Sequence, residues 1–208
     1  HDFKPLIKNK NAWKVTEAKD NNEAVIKQIR GIFNKLSLDN FEVLTSKICS
    51  IEITNEELLD NFIKLLIDKV IGESHFGEVY ACICYRLSKV NYSYGEITFK
   101  RKLLIKCQEE FEKKDNHKER KIGNIKFVGE LFKKEMLSIP IIFGCINNLV
   151  NEIKNNKDST VSIELICNLL TIIGKNIDIE IYSNEVNSLF VKLEYFSKNK
   201  EIILDMRY

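Results

Sequence analysis

The stretch "TNEELLDNFIKLLIDKVIG", residues 54–72, marks both ends and the inward face of a helix. Thr54 and Glu57 have the spacing of a capping box, in which a hydroxyl and a carboxylate each accept from a backbone N–H that the first turn leaves open. Leu58, Leu59, Phe62, Ile63, Leu66 and Val70 recur at steps of one, three and four, which lays them along one helical stripe. Gly72 stands where such a run ends. The pattern predicts an amphipathic helix that buries its apolar face against a neighbour.

The same rhythm continues on both sides. "EAVIKQIRGIFNKL", residues 23–36, places Val25, Ile26, Ile29, Ile32, Phe33 and Leu36 on one stripe. Further periodic segments at 39–51, 75–88, 97–114, 122–134, 138–154, 159–173 and 179–198 bring the expectation to about nine helices, with no strand pattern. The joints "SLDN", "GESH", "KKDNHKER", "LSIP", "NNKDS" and "GKNID" are short and polar, so successive helices pack as antiparallel neighbours. A two-helix period of about 40 residues is the mark of HEAT-like repeats, whose hairpins bury their apolar faces only by stacking. The predicted fold is all-α, a right-handed α-solenoid of about five antiparallel HEAT-type hairpins over residues 23–208. Residues 1–22, with "KPLIKNKNAWKV", show no helical stripe and predict an extended N-terminal arm.

Within this array, "GNIKFVGELFKKEML", residues 123–137, reads as a central rung. Ile125, Val128, Leu131 and Phe132 face one way while Phe127 and Gly129 lie elsewhere around the helix, which implies burial on more than one side. A helical glycine is about 1 kcal/mol less favourable than alanine, and close approach of a neighbouring helix would offset that at Gly129.

Composition bounds the function. The 208 residues are 44% hydrophobic and 30% charged, proportions of a soluble globular chain. No apolar run reaches the roughly 20 residues that cross a bilayer, and the first residues lack the apolar stretch of a signal peptide. The chain reads as an intracellular, cytoplasmic one, cut from something longer. Its six cysteines, at 49, 82, 84, 107, 145 and 167, lie in apolar periodic segments without zinc-ligand spacing and read as reduced core thiols. A formal net charge of +2 leaves any nucleic-acid contact to a local patch.

No nucleophile, base and orienting group share a pattern, so the expectation is a protein that is not an enzyme and takes no cofactor or metal. His1, His75 and His117 are scattered. "GESHFGE" has no strand before it and reads as helix-joint punctuation rather than a phosphate loop. Glu109 and Glu110 read as members of a solvated face paired with Lys113 and Lys114. Binding residues are better represented. Lys100, Arg101, Lys102 and Lys106 fall within two helical turns, with Lys118, Arg120, Lys121 and Lys126 nearby in sequence, and form either an RNA-facing patch or a solvated face. Trp13, the only tryptophan, either anchors a partner or pins the arm to the first hairpin.

In order along the chain, "AWK", "IRGIFNKLSLDNFEVL", "FGEVYACICYRL", "FKRKLLIKCQEEFEK", "GNIKFVGELFKKEML" and "ICNLLTIIGKNID" closely resemble the middle domain of eukaryotic initiation factor 4 gamma. The resemblance runs from about Trp13 to the end. It implies five HEAT-type hairpins and a non-catalytic scaffold that binds and stimulates the DEAD-box RNA helicase initiation factor 4A, with RNA contact, as a monomer away from membranes. Carried over by position, the helicase-binding residues are Trp13, then Phe33, Asn34, Lys35 and Leu36 at the first hairpin turn, then Thr171, Gly174 and Lys175 in a "TIIGK" loop. The RNA-binding candidates are Lys100, Arg101, Lys102, Lys106 and Lys126. The chain departs from the family in a short linker after "EEFEK", in a final helix that reads as incomplete, and in Val15 where relatives often carry proline. Other middle-domain proteins remain alternatives: a partner of the poly(A)-binding protein, a translation repressor, or a splicing or decay factor. So does a general RNA-binding solenoid without a helicase.

Overall fold

The computed structural model describes residues 10–90, 92–94, 97–113, 117–155, 159–177 and 183–198, with side chains from residue 21 onward except at Ser93, Tyr94 and Ser159. Among them lie nine α-helices: α1 (Lys10–Phe33), α2 (Phe41–Cys49), α3 (Glu56–Gly72), α4 (Gly77–Leu87), α5 (Phe99–Glu112), α6 (Lys118–Lys133), α7 (Ile139–Lys154), α8 (Ser159–Ile177) and α9 (Ser183–Lys198). The fold class is all-α, as the periodicity predicts. Among the described residues the one strand pairing is a minimal antiparallel ribbon, β1 (Ser93–Tyr94) with β2 (Ile97–Thr98), in the register Ser93 to Thr98 and Tyr94 to Ile97. Two residues per strand are too few for an alternating pattern to be legible in sequence.

The chain divides into two compact units, residues 1–65 and 66–208. In the first, α1, α2 and the first turns of α3 bury Ile29, Phe33, Leu44, Ile48, Leu58, Phe62 and Ile63. Phe33 and Phe62 stack with ring centroids 6.3 Å apart. The start of α3 is capped one residue later than expected: Asn55 Oδ1, not Thr54, accepts from Leu58 N–H at 2.8 Å. Asparagine is the better cap of the two, and Asn55 also donates to Asn22 Oδ1 of α1 at 3.0 Å. Residues 10–22, expected in an extended arm, belong to α1. Nothing between Lys10 and Phe33 breaks a helix, and its polar first half has no stripe for periodicity to detect. Residues 1–9 of the expected arm lie outside the described residues.

In the second unit, α6 packs against α4, α5 and α8, and α7 against α8, so that α4, α6 and α8 form a row. The expected role of α6 as central rung is met. Gly129 faces Ile172 and Leu169 of α8, where an added Cβ would sit 3.0 Å from Ile172 Cγ2. Gly123 lies so close to the end of α3 that a Cβ would stand 2.9 Å from the Ile71 carbonyl oxygen. The joint after α3 is a single 3-10 turn, Ser74–Phe76, held by Tyr80 Oη donating to Glu73 Oε2 at 2.7 Å, so "GESHFGE" is punctuation. Helix α5 starts at Phe99, capped by Thr98 Oγ1, which accepts from Arg101 N–H. Pro140 stands in the first turn of α7, where its missing N–H has no bond to lose. By length and composition, Thr160–Ile177 of α8 could cross a membrane, and here it is a packed helix that buries Leu165, Ile166, Leu169, Ile173 and Ile177.

Candidate functional site

The candidate residues fall on two surfaces, one in each unit. In the first unit the turn between α1 and α2 is rigidly built. Asn40 Oδ1 accepts from Ser37 N–H at 2.8 Å and Asn40 Nδ2 donates to Lys35 O at 2.6 Å, which closes the loop on itself. Asn34 and Lys35 point outward from it and Leu36 is half-buried. Phe33 does not belong to this surface. It is 2% exposed and stacked on Phe62, so it holds the turn from below. Leu38, 74% exposed at the tip, was not singled out in sequence, because a lone leucine in a polar joint carries no periodic signal. Trp13 lies in α1, with its side chain outside the described residues.

The second helicase candidate is not a loop. Thr171, Gly174 and Lys175 lie in the last turns of α8, where Gly174 is accommodated within the helix and Thr171 Oγ1 donates to Cys167 O at 2.7 Å. Thr171 and Lys175, four residues apart, are both exposed and share a helix face.

The basic cluster of α5 separates on folding. Lys100 and Arg101 are exposed. Lys102, at 8% exposure, is buried and takes no part in a phosphate-facing patch. Lys106 is paired with Glu109 at 2.7 Å. Lys126 is half-buried on α6, and Lys118 is paired with Glu164 of α8 at 2.6 Å. Arg120 is committed to structure: its Nε donates to Glu110 at 2.7 Å and a terminal nitrogen to Asp68 of α3 at 2.9 Å. Glu110, expected on a solvated face with Lys114, is instead buried between Arg120 and Lys113. Burial acts to raise its pKa, yet the hydrogen bonds from Arg120 and Lys113 prevail and hold the carboxyl below the ordinary value. Helical periodicity does not find such a group, because the partner that permits its burial comes from another helix.

Beside these residues a groove of about 1310 Å³ runs between α5 and α7 over a floor of α6. Lys100, Arg101 and Lys121 line it, whereas Lys106 and Lys126 do not. Of the cysteines expected in the core, Cys84 and Cys107 are fully buried, and burial is the main cause that pushes the Cys107 thiol up to about 12 and Cys84 well above its ordinary value. Cys167 is exposed on α8, a correction to its reading as a core thiol. Among the described residues no group of three histidine, cysteine or acidic side chains is placed to hold a metal ion.

Antiparallel helices joined by short turns, with α4, α6 and α8 in a row, define the class of helical-hairpin repeat folds. More particularly, the chain belongs to the MIF4G-domain family, whose model matches residues 26–208. It is similar to eukaryotic translation initiation factor 4G of Cucumis melo, with 31% identity across 98% of this chain and 12% of the relative. Against the factor of Arabidopsis thaliana the identity is 32%, across 98% of this chain and 13% of the relative. Mouse eukaryotic translation initiation factor 4 gamma 3 is 29% identical across 98% of this chain and 16% of its own length. The resemblance read from the ordered motifs is upheld. The chain spans less than a sixth of the length of these relatives.

Proposed function

We propose that this chain is the helicase-binding middle segment of a translation-initiation scaffold acting in the cytoplasm, non-catalytic itself, that binds and stimulates the DEAD-box RNA helicase initiation factor 4A. The observation that carries this reading is the match to the MIF4G family over residues 26–208. On the first unit, the rigid turn with Asn34, Lys35 and Leu38 is the contact for one helicase lobe, with Trp13 as a further anchor. On the second, the Thr171 and Lys175 face of α8 is the contact for the other. Two weak contacts on separate units favour some lobe arrangements over others without locking either, and a coupling of about 1–3 kcal/mol shifts such populations roughly 5- to 150-fold. Lys100 and Arg101 supply the RNA contact, a smaller patch than the five residues read from sequence.

The test is the RNA-dependent ATPase rate of the helicase with and without this chain. Stimulation is expected, and Lys35→Glu with Leu38→Asp should abolish it without changing helical content. Trp13→Ala should weaken the complex by about 2 kcal/mol, the scale of an interface hot spot. Absence of both a complex and stimulation would reject the reading in favour of a plain RNA-binding module, whose affinity would fall steeply with salt.

A further inference from the structure

The groove between α5 and α7 has features that a contact with RNA does not call for. Leu104, Ile125, Val128 and Leu137 give it an apolar share beside Asn124, and on its facing walls Ile105 of α5 and Ile141 of α7 are 44% and 45% exposed. Along the α7 wall, Asn148, Asn151 and Asn155 follow one another at steps of three and four, all exposed and without a side-chain hydrogen bond among the described residues. A primary amide offers donors and an acceptor together, which complements the alternating N–H and C=O of a peptide main chain. A phosphate backbone presents acceptors only, and α7 brings no basic residue to the groove. Seven helical residues rise about 10.5 Å, close to the span of three residues of extended chain at about 3.3 Å each. The charge is also directional. Lys100 and Arg101 stand at the N-terminal end of α5. The other end is of mixed charge: Glu112 and Glu152, which accept hydrogen bonds at 2.7 Å from Gln108 and Ser162, line the groove there together with Lys113 and Lys121, so only the Lys100 and Arg101 end is uniformly basic.

We infer that this groove receives an extended peptide segment of a partner protein, its main chain paired with the asparagine row of α7, its apolar side chains seated on the α6 floor, and an acidic residue at the Lys100 and Arg101 end. Alternate side chains of an extended strand point to opposite faces, so the recognised sequence has apolar residues at every second position.

The full chain is panned against a random-peptide phage library, and the recovered peptide, fluorescein-labelled, is titrated by anisotropy beside a labelled oligouridine RNA. Gly144 lies on the groove wall, and an added Cβ there meets nothing within 4 Å, so Gly144→Trp fills the groove without disturbing the core. Enriched peptides are expected to alternate apolar residues and to carry Asp or Glu at one end. Gly144→Trp and the double variant Asn148→Ala/Asn151→Ala should each weaken peptide binding by about tenfold or more, equivalent to 1.4 kcal/mol, and Gly144→Trp should leave RNA affinity unchanged. The exposed asparagine pair decides the matter if the tryptophan variant loses its fold. Failure to enrich any peptide, equal binding by the asparagine variant, or loss of RNA rather than peptide binding in Gly144→Trp would each overturn the assignment, the last in favour of RNA.

Discussion

Consecutive helices α5 and α6 differ in how much of their surface is buried and in which residues allow it. Helix α6 buries Gly123, Asn124, Ile125, Phe127, Val128, Gly129, Leu131 and Phe132, positions that run around most of its circumference, against α4, α5 and α8. Helix α5 buries one stripe, Phe99, Lys102, Leu103, Cys107 and Glu110, and leaves its other side as a wall of the groove. Neither is strongly apolar in composition. The hub helix achieves contact on several sides with small residues that let neighbours approach, while the outer helix brings Lys102 and Glu110 into its buried stripe, and Glu110 is neutralised there by Arg120 of α6 and by Lys113 at the end of α5 itself.

The sharpest way to break this comparison is Gly123→Ala on α6. The new methyl would meet backbone atoms of Ile71, the carbonyl oxygen at 2.9 Å and Cα at 3.1 Å, which cannot turn aside as a side chain can. A loss of about 1–3 kcal/mol is expected, the range for overpacking, read as a lower urea midpoint at constant slope. An unchanged midpoint would mean that α3 and α6 are not held at this distance.

On α5, Glu110→Gln keeps the shape and removes the charge that Arg120 and Lys113 hold. An expected loss of about 1.5–3 kcal/mol at neutral pH follows from the strength of hydrogen bonds to charged groups. Because the folded carboxyl titrates below its ordinary value, its contribution is complete above the unfolded pKa of about 4.3 and is lost as pH falls through the folded one. Stability curves of the parent and Glu110→Gln should therefore converge in acid, and curves that stay parallel would assign the loss to packing instead.

The smallest effects come from a pair of glycines. At Gly144 a Cβ has open space, so Gly144→Ala should stabilise by up to about 1 kcal/mol. At Gly129 the Cβ presses on the side chains of Ile172 and Leu169, which can yield, so Gly129→Ala should gain less or nothing. Equal gains at both sites in thermal unfolding would show slack between α6 and α8.

The fold was largely legible because helical periodicity is a local signal with strong punctuation: Gly72 ends α3, and Pro140 opens α7. What escaped it is instructive. The polar first half of α1 carries no stripe, and the end of α8 holds Gly174 inside a helix because packing of Ile173 and Ile177 carries the last turns past it. The site was legible only in outline. Asn34, Lys35, Lys100 and Arg101 are exposed as a binding role requires, yet Phe33 and Lys102 proved buried. Sequence order does not say which basic side chain finds a carboxylate on another helix, so it could not separate Arg120, clamped by Glu110 and Asp68, from Lys100.

The position of α6 in the row α4, α6, α8 also sets a clock. Its amide protons are released only when several neighbouring helices part at once, so hydrogen exchange there should report global unfolding of the second unit. The first turns of α5, whose open side already faces solvent, should exchange through small local openings many times more often. A partner that fills the groove would slow those turns by closing their local openings, and would slow α6 as well, because binding only the folded unit raises its global stability.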